Sequence, residues 1–181
     1  MINASHLNIY EATIPDRMHH LDLGLFNYQV TYTRELLKEW CGQIAVDELD
    51  NRLARIPRFP GLKIFKNGLE NIKRFTADEF RNMMKVFIFV IEGIIKKHHK
   101  AAISANCAKR EDEALTSVYY FWNKMYLYSR REYFLESKLD NFVLYCIIFN
   151  SNYTFILFIG VNYKLGKIIC KALSKILAIR S

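Results

Sequence analysis

The sequence predicts a mostly α-helical protein, an irregular helical bundle followed by a hydrophobic C-terminal tail. Three observations predict it. Apolar residues recur every three or four positions through successive long segments, Thr76-Ala77-Asp78-Glu79 has the order of a helix capping box, and the intervening stretch is punctuated by Pro57, Pro60-Gly61 and Asn67-Gly68.

The first segment opens at Pro15-Asp16 and carries Met18, Leu21, Leu25, Tyr28, Tyr32, Leu36 and Trp40, one apolar helical face. Asp16 is its expected N-cap and Cys41-Gly42 its expected stop. A second, shorter helix is expected through Val46, Leu49, Leu53 and Ile56, ending at Pro57, where the ladder of hydrogen bonds cannot continue. From Pro57 to Phe75 the period is lost, and a loop with a short strand is one expectation. Thr76 then starts a helix whose apolar face runs through Phe80, Met83, Met84, Phe87, Val90, Ile91, Ile94 and Ile95 to the Lys96–Lys100 terminus. Residues 101–113, small and polar and ending in Lys109-Arg110-Glu111-Asp112-Glu113, are expected to connect helices. Leu115, Val118, Tyr119, Trp122, Met125 and Tyr126 form the last helical face. The Met83-Met84 pair and the run Tyr119-Tyr120-Phe121-Trp122 sit at helical spacing and read as core packing.

The chain has 181 residues, enough for one ordinary domain, and its composition changes at about Asp140. Residues 1–140 hold 21 of the 26 Lys and Arg and all 18 Asp and Glu, so the body is nearly balanced. The rest of the net charge of +8 comes from Lys164, Lys167, Lys171, Lys175 and Arg180, with no acid among them. The overall charge therefore describes the tail more than the body. Between Asn141 and Tyr163 no charge occurs, and Ile, Phe, Asn, Tyr and Lys, residues of A/T-rich codons, make up 23 of the 41 positions from 141 to 181. One reading of residues 141–181 is translated non-coding sequence. The other is a membrane span near 142–161, against which stands the polar Asn150-Ser151-Asn152 at mid-depth.

Cys41, Cys107, Cys146 and Cys170 are far apart, without a Cys-x-x-Cys pair, and read as free thiols in a reducing compartment. Met1 to Tyr10 lacks the basic start and apolar run of a secretory signal. A nuclear or cytoplasmic location is expected, with the membrane as the alternative if the tail spans it. The chain carries no Gly-rich phosphate loop, no Gly-x-Ser-x-Gly and no His-Glu-x-x-His, which leaves nucleotide hydrolysis and ordinary hydrolase chemistry without support.

Two groups of residues bear on function. Arg52, Arg55, Arg58, Lys63, Lys66, Lys73 and Arg74 face the single acid Glu70 in the stretch from 52 to 74, with Phe59 and Phe65 between them. Phosphate contacts need such a local excess, and aromatic rings can stack on exposed bases; the bland alternative is a solvated loop whose Phe and Leu side chains pin it to the helices. Asp16 and His19 are spaced i and i+3 and share a helical face, which suits a capping Asp beside a packed His or half of a metal site. Further ligands would have to come from elsewhere, His98 and His99 being the candidates, although adjacent histidines in a Lys-rich helix end read more simply as a solvated terminus.

The string Ile14-Pro15-Asp16-Arg17-Met18-His19-His20-Leu21-Asp22-Leu23-Gly24-Leu25 resembles a segment of the fungal Plavaka-type transposases, relatives of the CACTA and KDZ elements. Later words agree in order: Arg55 to Leu62, Phe65-Lys66-x-Gly68, Phe75-Thr76-Ala77-x-Glu79-Phe80 with Met84-Lys85-Val86 behind it, and Trp122-x-x-Met125-Tyr126 before Ser129-Arg130. The resemblance covers about residues 10–140. It implies a helical part flanking or inserted in an RNase H-like core, in which three carboxylates hold two Mg²⁺ or Mn²⁺ ions for DNA strand cleavage and transfer. Asp16 and His19 match the family's signature only, which lies downstream of its second catalytic acid and well before its third. The resemblance thus assigns no catalytic acid and no cofactor to this chain, and the expectation is a transposase fragment without activity of its own. Its expected partners are DNA and the rest of a transposase complex. The rival readings are a domesticated helical DNA- or protein-binding module and a small protein anchored in a membrane by its tail.

Overall fold

A computed structural model of the chain describes residues 16–130 and Leu144. The body is mostly helical, and no strand occurs among the described residues, the loop after Pro57 included. The membrane-span and non-coding readings of the tail fall outside the described residues, apart from Leu144, which is helical and exposed. No described helix is long and apolar enough to cross a membrane.

The chain enters through a π-helical segment, Met18–Phe26. Asp16 caps it as the sequence predicts, its Oδ1 accepting from the Met18 and His19 backbone N–H groups at 2.9 and 3.3 Å. Gly24 is the residue that permits the wider coil: a Cβ there would lie 2.7 Å from the His19 carbonyl oxygen, five positions back. Helix α1, Asn27–Cys41, continues directly from this segment. It stops at Gly42, whose φ of 83° belongs to glycine, and whose N–H still bonds the Lys38 carbonyl. Gly42 also starts α2, Gln43–Ala54, so the corner between the two helices is a single residue.

The loop from Arg55 to Phe75 holds a tight turn at Phe59–Leu62, a run of overlapping turns from Phe65 to Ile72 and a short 3₁₀ helix, Ile72–Arg74. Helix α3, Ala77–Ile91, begins with the complete capping box: the Thr76 hydroxyl accepts from the Glu79 N–H, and the Glu79 carboxylate accepts from the Thr76 N–H. Two boundaries differ from the sequence expectation. The apolar face running from Phe80 to Ile95 is split at Glu92-Gly93, where φ of Gly93 is 76°, and resumes in the short α4, Ile94–His98. The cause lies in another helix, because the buried Asp112 carboxylate accepts from the N–H groups of Gly93, Ile95 and Lys96 at 2.8, 2.9 and 3.4 Å. Of the expected connection at 101–113, only 101–104 connect helices; residues 105–113 are instead the first part of α5, Ala105–Ser129, capped by Ser104. Its charged run is helical because Glu111 and Asp112 turn inward, and Lys109 and Glu113 pair along the surface at 3.9 Å.

Helix α5 packs on α3 and α4, the π-helical segment on α1 and α3, and α2 on α1, α3 and α4. At the centre Phe26 is wholly buried, with the rings of Trp122, Tyr119, Phe80 and Phe87 at 5.6, 6.2, 6.2 and 6.4 Å. Each such side chain contributes about 2–3 kcal/mol by leaving water. Met83, Met84, Tyr119 and Trp122 are buried as their spacing predicts, whereas Tyr120 of the same run faces solvent. Cys41 and Cys107 are free thiols, and burial pushes the Cys41 thiol up.

Candidate nucleic-acid interface

In the stretch from Arg52 to Arg74, contacts with Asp50 of α2 and with Glu79 and Asn82 of α3 set the path of the loop. Asp50 of α2 supplies the acceptor: its Oδ1 takes the Leu69 N–H at 2.9 Å, and its Oδ2 pairs with Arg34 at 3.1 Å. Gly68 makes the approach possible, since a Cβ there would lie 2.5 Å from that carboxylate. Leu69, Ile72 and Phe65 then enter the core, and Phe65 packs on Phe75 with ring centroids 5.6 Å apart.

Within this frame the seven cations divide by role. Arg52 belongs to α2 rather than to the loop and is spent on the fold: Nε donates to Glu48 at 2.9 Å, and Nη1 donates to the carbonyls of Val90 and Glu92 at 3.2 and 2.6 Å. Those carbonyls end α3 without helical partners, so Arg52 serves as their cap. Glu48 also accepts from Lys97 at 3.0 Å, and these bonds, Lys97 first, hold its carboxyl below the ordinary value. Lys63 is likewise committed, its Nζ to Glu79 and its N–H to Asn82 Oδ1 at 3.4 Å. The Glu79 carboxyl is lowered by the Lys63 bond first and by the Thr76 N–H next.

The other five, Arg55, Arg58, Lys66, Lys73 and Arg74, are exposed, and their side chains make no hydrogen bond or ion pair among the described residues. Two grooves lie beside three of them, Lys66, Lys73 and Arg74. One, of about 320 Å³, is lined by Lys63, Lys66, Asn71, Arg74 and Glu79 among others; the second, of about 510 Å³, by Arg34, Lys38, Asn71, Lys73 and Arg74 with the acids Glu35 and Glu70. Asn71 and Arg74 line both, so the 3₁₀ turn is the ridge between them. The geometry offers an anion several guanidinium and ammonium groups at once, without first breaking an internal ion pair. Arg34 and Lys38 are groove residues that the linear pattern does not single out, because Glu35 and Glu39 balance them along α1.

Asp16 and His19 stand apart from this surface in role. His19 Nδ1 lies 2.5 Å from Asp16 Oδ2, both side chains are more than half exposed, and the Asp16 carboxyl is lowered by that bond first. The arrangement is a capping carboxylate closed by its own helix. His98 is half-buried on α4, and His99 bonds the Lys96 carbonyl through Nδ1 at 3.1 Å. Among the described residues no three His, Cys, Asp or Glu side chains converge to hold an ion.

One buried charge is unannounced in the sequence. Asp22 is 1% exposed and pairs with Arg81 at 3.2 Å, while Tyr126 of α5 faces it. Neither Asp22 Oδ1 nor the Tyr126 hydroxyl has a partner within hydrogen-bond distance. Burial first pushes the Asp22 carboxyl up, and burial together with Asp22 pushes the Tyr126 hydroxyl up to about 12. The Asp22–Arg81 pair ties the π-helical segment to α3.

Comparison with protein-family models, with curated proteins and with solved structures gives no match to this chain.

Proposed function

We propose that the body of this chain is a helical DNA-binding part of a Plavaka-type transposase, one that grips DNA and does not cut it. The family reading rests on the ordered words between Ile14 and Arg130. The binding reading rests on one observation: five of the seven cations between 52 and 74 are exposed and unpaired, while the fold consumes the other two. Neutralising phosphates with such groups releases counterions, so affinity falls steeply with salt.

The test uses the full chain and mixed-sequence DNA. Replacing Arg55, Arg58, Lys66 and Lys73 together with Ala is expected to flatten the slope of log affinity against log salt by about three units, at unchanged stability. A wild-type chain that binds no DNA at low salt, or a quadruple variant with an unchanged slope, overturns the proposal. Metal-dependent nicking that a substitution in this chain abolishes overturns its second half.

A further inference from the structure

In sequence Phe59 and Phe65 are equivalent, each either an anchor of the basic loop or a ring able to stack on a base, and the structure separates the two. Phe65 is buried, whereas Phe59 is 71% exposed, more than any other large apolar side chain among the described residues. Its position is nonetheless firm. The turn Phe59-Pro60-Gly61-Leu62 is closed by the Leu62 N–H donating to the Phe59 carbonyl at 3.0 Å, with Pro60 and a Gly61 φ of 77° at the places a type II turn requires. Both arms are held: Ile56 packs on the core before the turn, and after it the Lys63 N–H bonds Asn82 while Phe65 enters the core. A phenyl ring is thus presented to water on a rigid tip, with the unpaired Arg55 and Arg58 preceding it on the same chain.

We infer that Phe59 is a base-stacking side chain and that the nucleic acid this loop takes is single-stranded or locally unpaired. The inference rests on the proposed DNA binding and narrows it. A single ring with two unpaired cations just before it in the chain matches one planar base and the phosphates next to it, and it is too small a patch for a protein interface of ordinary size. In a closed duplex the faces of the bases are already stacked on each other, and a ring at a loop tip has nothing to cover. The fixed turn means that little conformational freedom is lost when a base settles on the ring.

The experiment titrates the full chain, at several salt concentrations, with a single-stranded oligo-dT carrying one 2-aminopurine and with a blunt duplex of equal length. Phe59→Ala is expected to weaken single-strand binding about 5-fold or more and duplex binding less than about 2-fold, without changing the salt slope. The change in 2-aminopurine emission on binding is expected to disappear in Phe59→Ala and in Phe59→Leu, the latter keeping the apolar bulk of the tip. Arg55→Ala with Arg58→Ala is expected to do the reverse, lowering the single-strand slope by about 1.4 units and keeping the emission change. Equal losses on both DNAs, no loss on either, or an emission change that survives Phe59→Ala overturns the inference while leaving DNA binding intact. So does a Phe59→Ala chain that loses only its attachment to phosphatidylserine vesicles. A wild-type chain that binds neither DNA removes this inference and the proposed function together.

Discussion

The Asp112 carboxylate of α5 stands at the start of α4 and accepts the Gly93 N–H at 2.8 Å. With Ile95 and Lys96 it satisfies three of the donors that a helix start leaves over, and it does so from a helix that follows in the chain. Asp112→Ala is therefore expected to cost at least about 2 kcal/mol, since buried donors lose a charged acceptor. Faster amide exchange at Gly93 and Ile95 should accompany the lower denaturant midpoint. Unchanged exchange at both would show that α4 is capped in another way.

Asp22 gives a pH dependence of definite sign. Its folded carboxyl lies above the ordinary 3.8, chiefly through burial, so the folded chain holds that proton more tightly than the unfolded one. The stability this contributes is complete below the unfolded value and is lost as pH rises through the folded one. In Asp22→Asn that dependence vanishes while every other acid remains. The stability of the variant relative to wild type should therefore grow between about pH 3 and pH 7. A relative stability that stays level or falls across this range would place the Asp22 carboxyl at or below its ordinary value.

Gly24→Ala tests the π-helical segment against propensity. In an ordinary helix interior the change stabilises by up to about 1 kcal/mol. Here the new Cβ would meet the His19 carbonyl at 2.7 Å, and a loss of about 1–2 kcal/mol is expected instead. Thermal unfolding decides the sign, and a raised midpoint would mean the segment is a plain α-helix in solution.

Arg52 and Arg55 are neighbours in composition and differ in duty. Arg52→Ala removes the donor to two carbonyls at the end of α3 and should cost about 1–3 kcal/mol. Arg55→Ala, on an exposed and unpaired side chain, should stay within about 0.5 kcal/mol and act on DNA affinity alone. Equal stability of the two variants in urea would show that Arg52 is not a cap.

Features set by neighbours along the chain were legible in the sequence. Asp16 and Thr76 cap what they were expected to cap, because an N-cap is decided within four residues. The Gly42 stop and the end of α2 before Pro57 are local in the same sense. Features set across the fold were not. The apolar period continues through Gly93, and only Asp112, 19 positions away, marks the break. The run Lys109 to Glu113 has the composition of a surface connection, yet Glu111 and Asp112 are buried. In the candidate site the excess of cations was visible, but not that Arg52 and Lys63 are engaged, nor which of Phe59 and Phe65 faces water. Those distinctions depend on where α3 lies, which spacing within the loop does not specify.

The Tyr119 hydroxyl meets the Thr33 hydroxyl at 2.7 Å and donates to the Gln29 carbonyl, joining residues 86 and 90 positions apart in the same core that Phe26 and Trp122 fill. On a ribosome that distance is time. At about 5–20 residues per second, on the order of ten seconds separate the synthesis of Thr33 from that of Tyr119. Throughout that interval the ring of Phe26 has no Trp122 to cover it, and the nascent chain displays aromatic surface of the kind chaperones hold. Among the helices described between residues 16 and 130, the last to be made is thus the one that closes the core, and the exposure of that core to misassociation is greatest just before α5 leaves the exit tunnel.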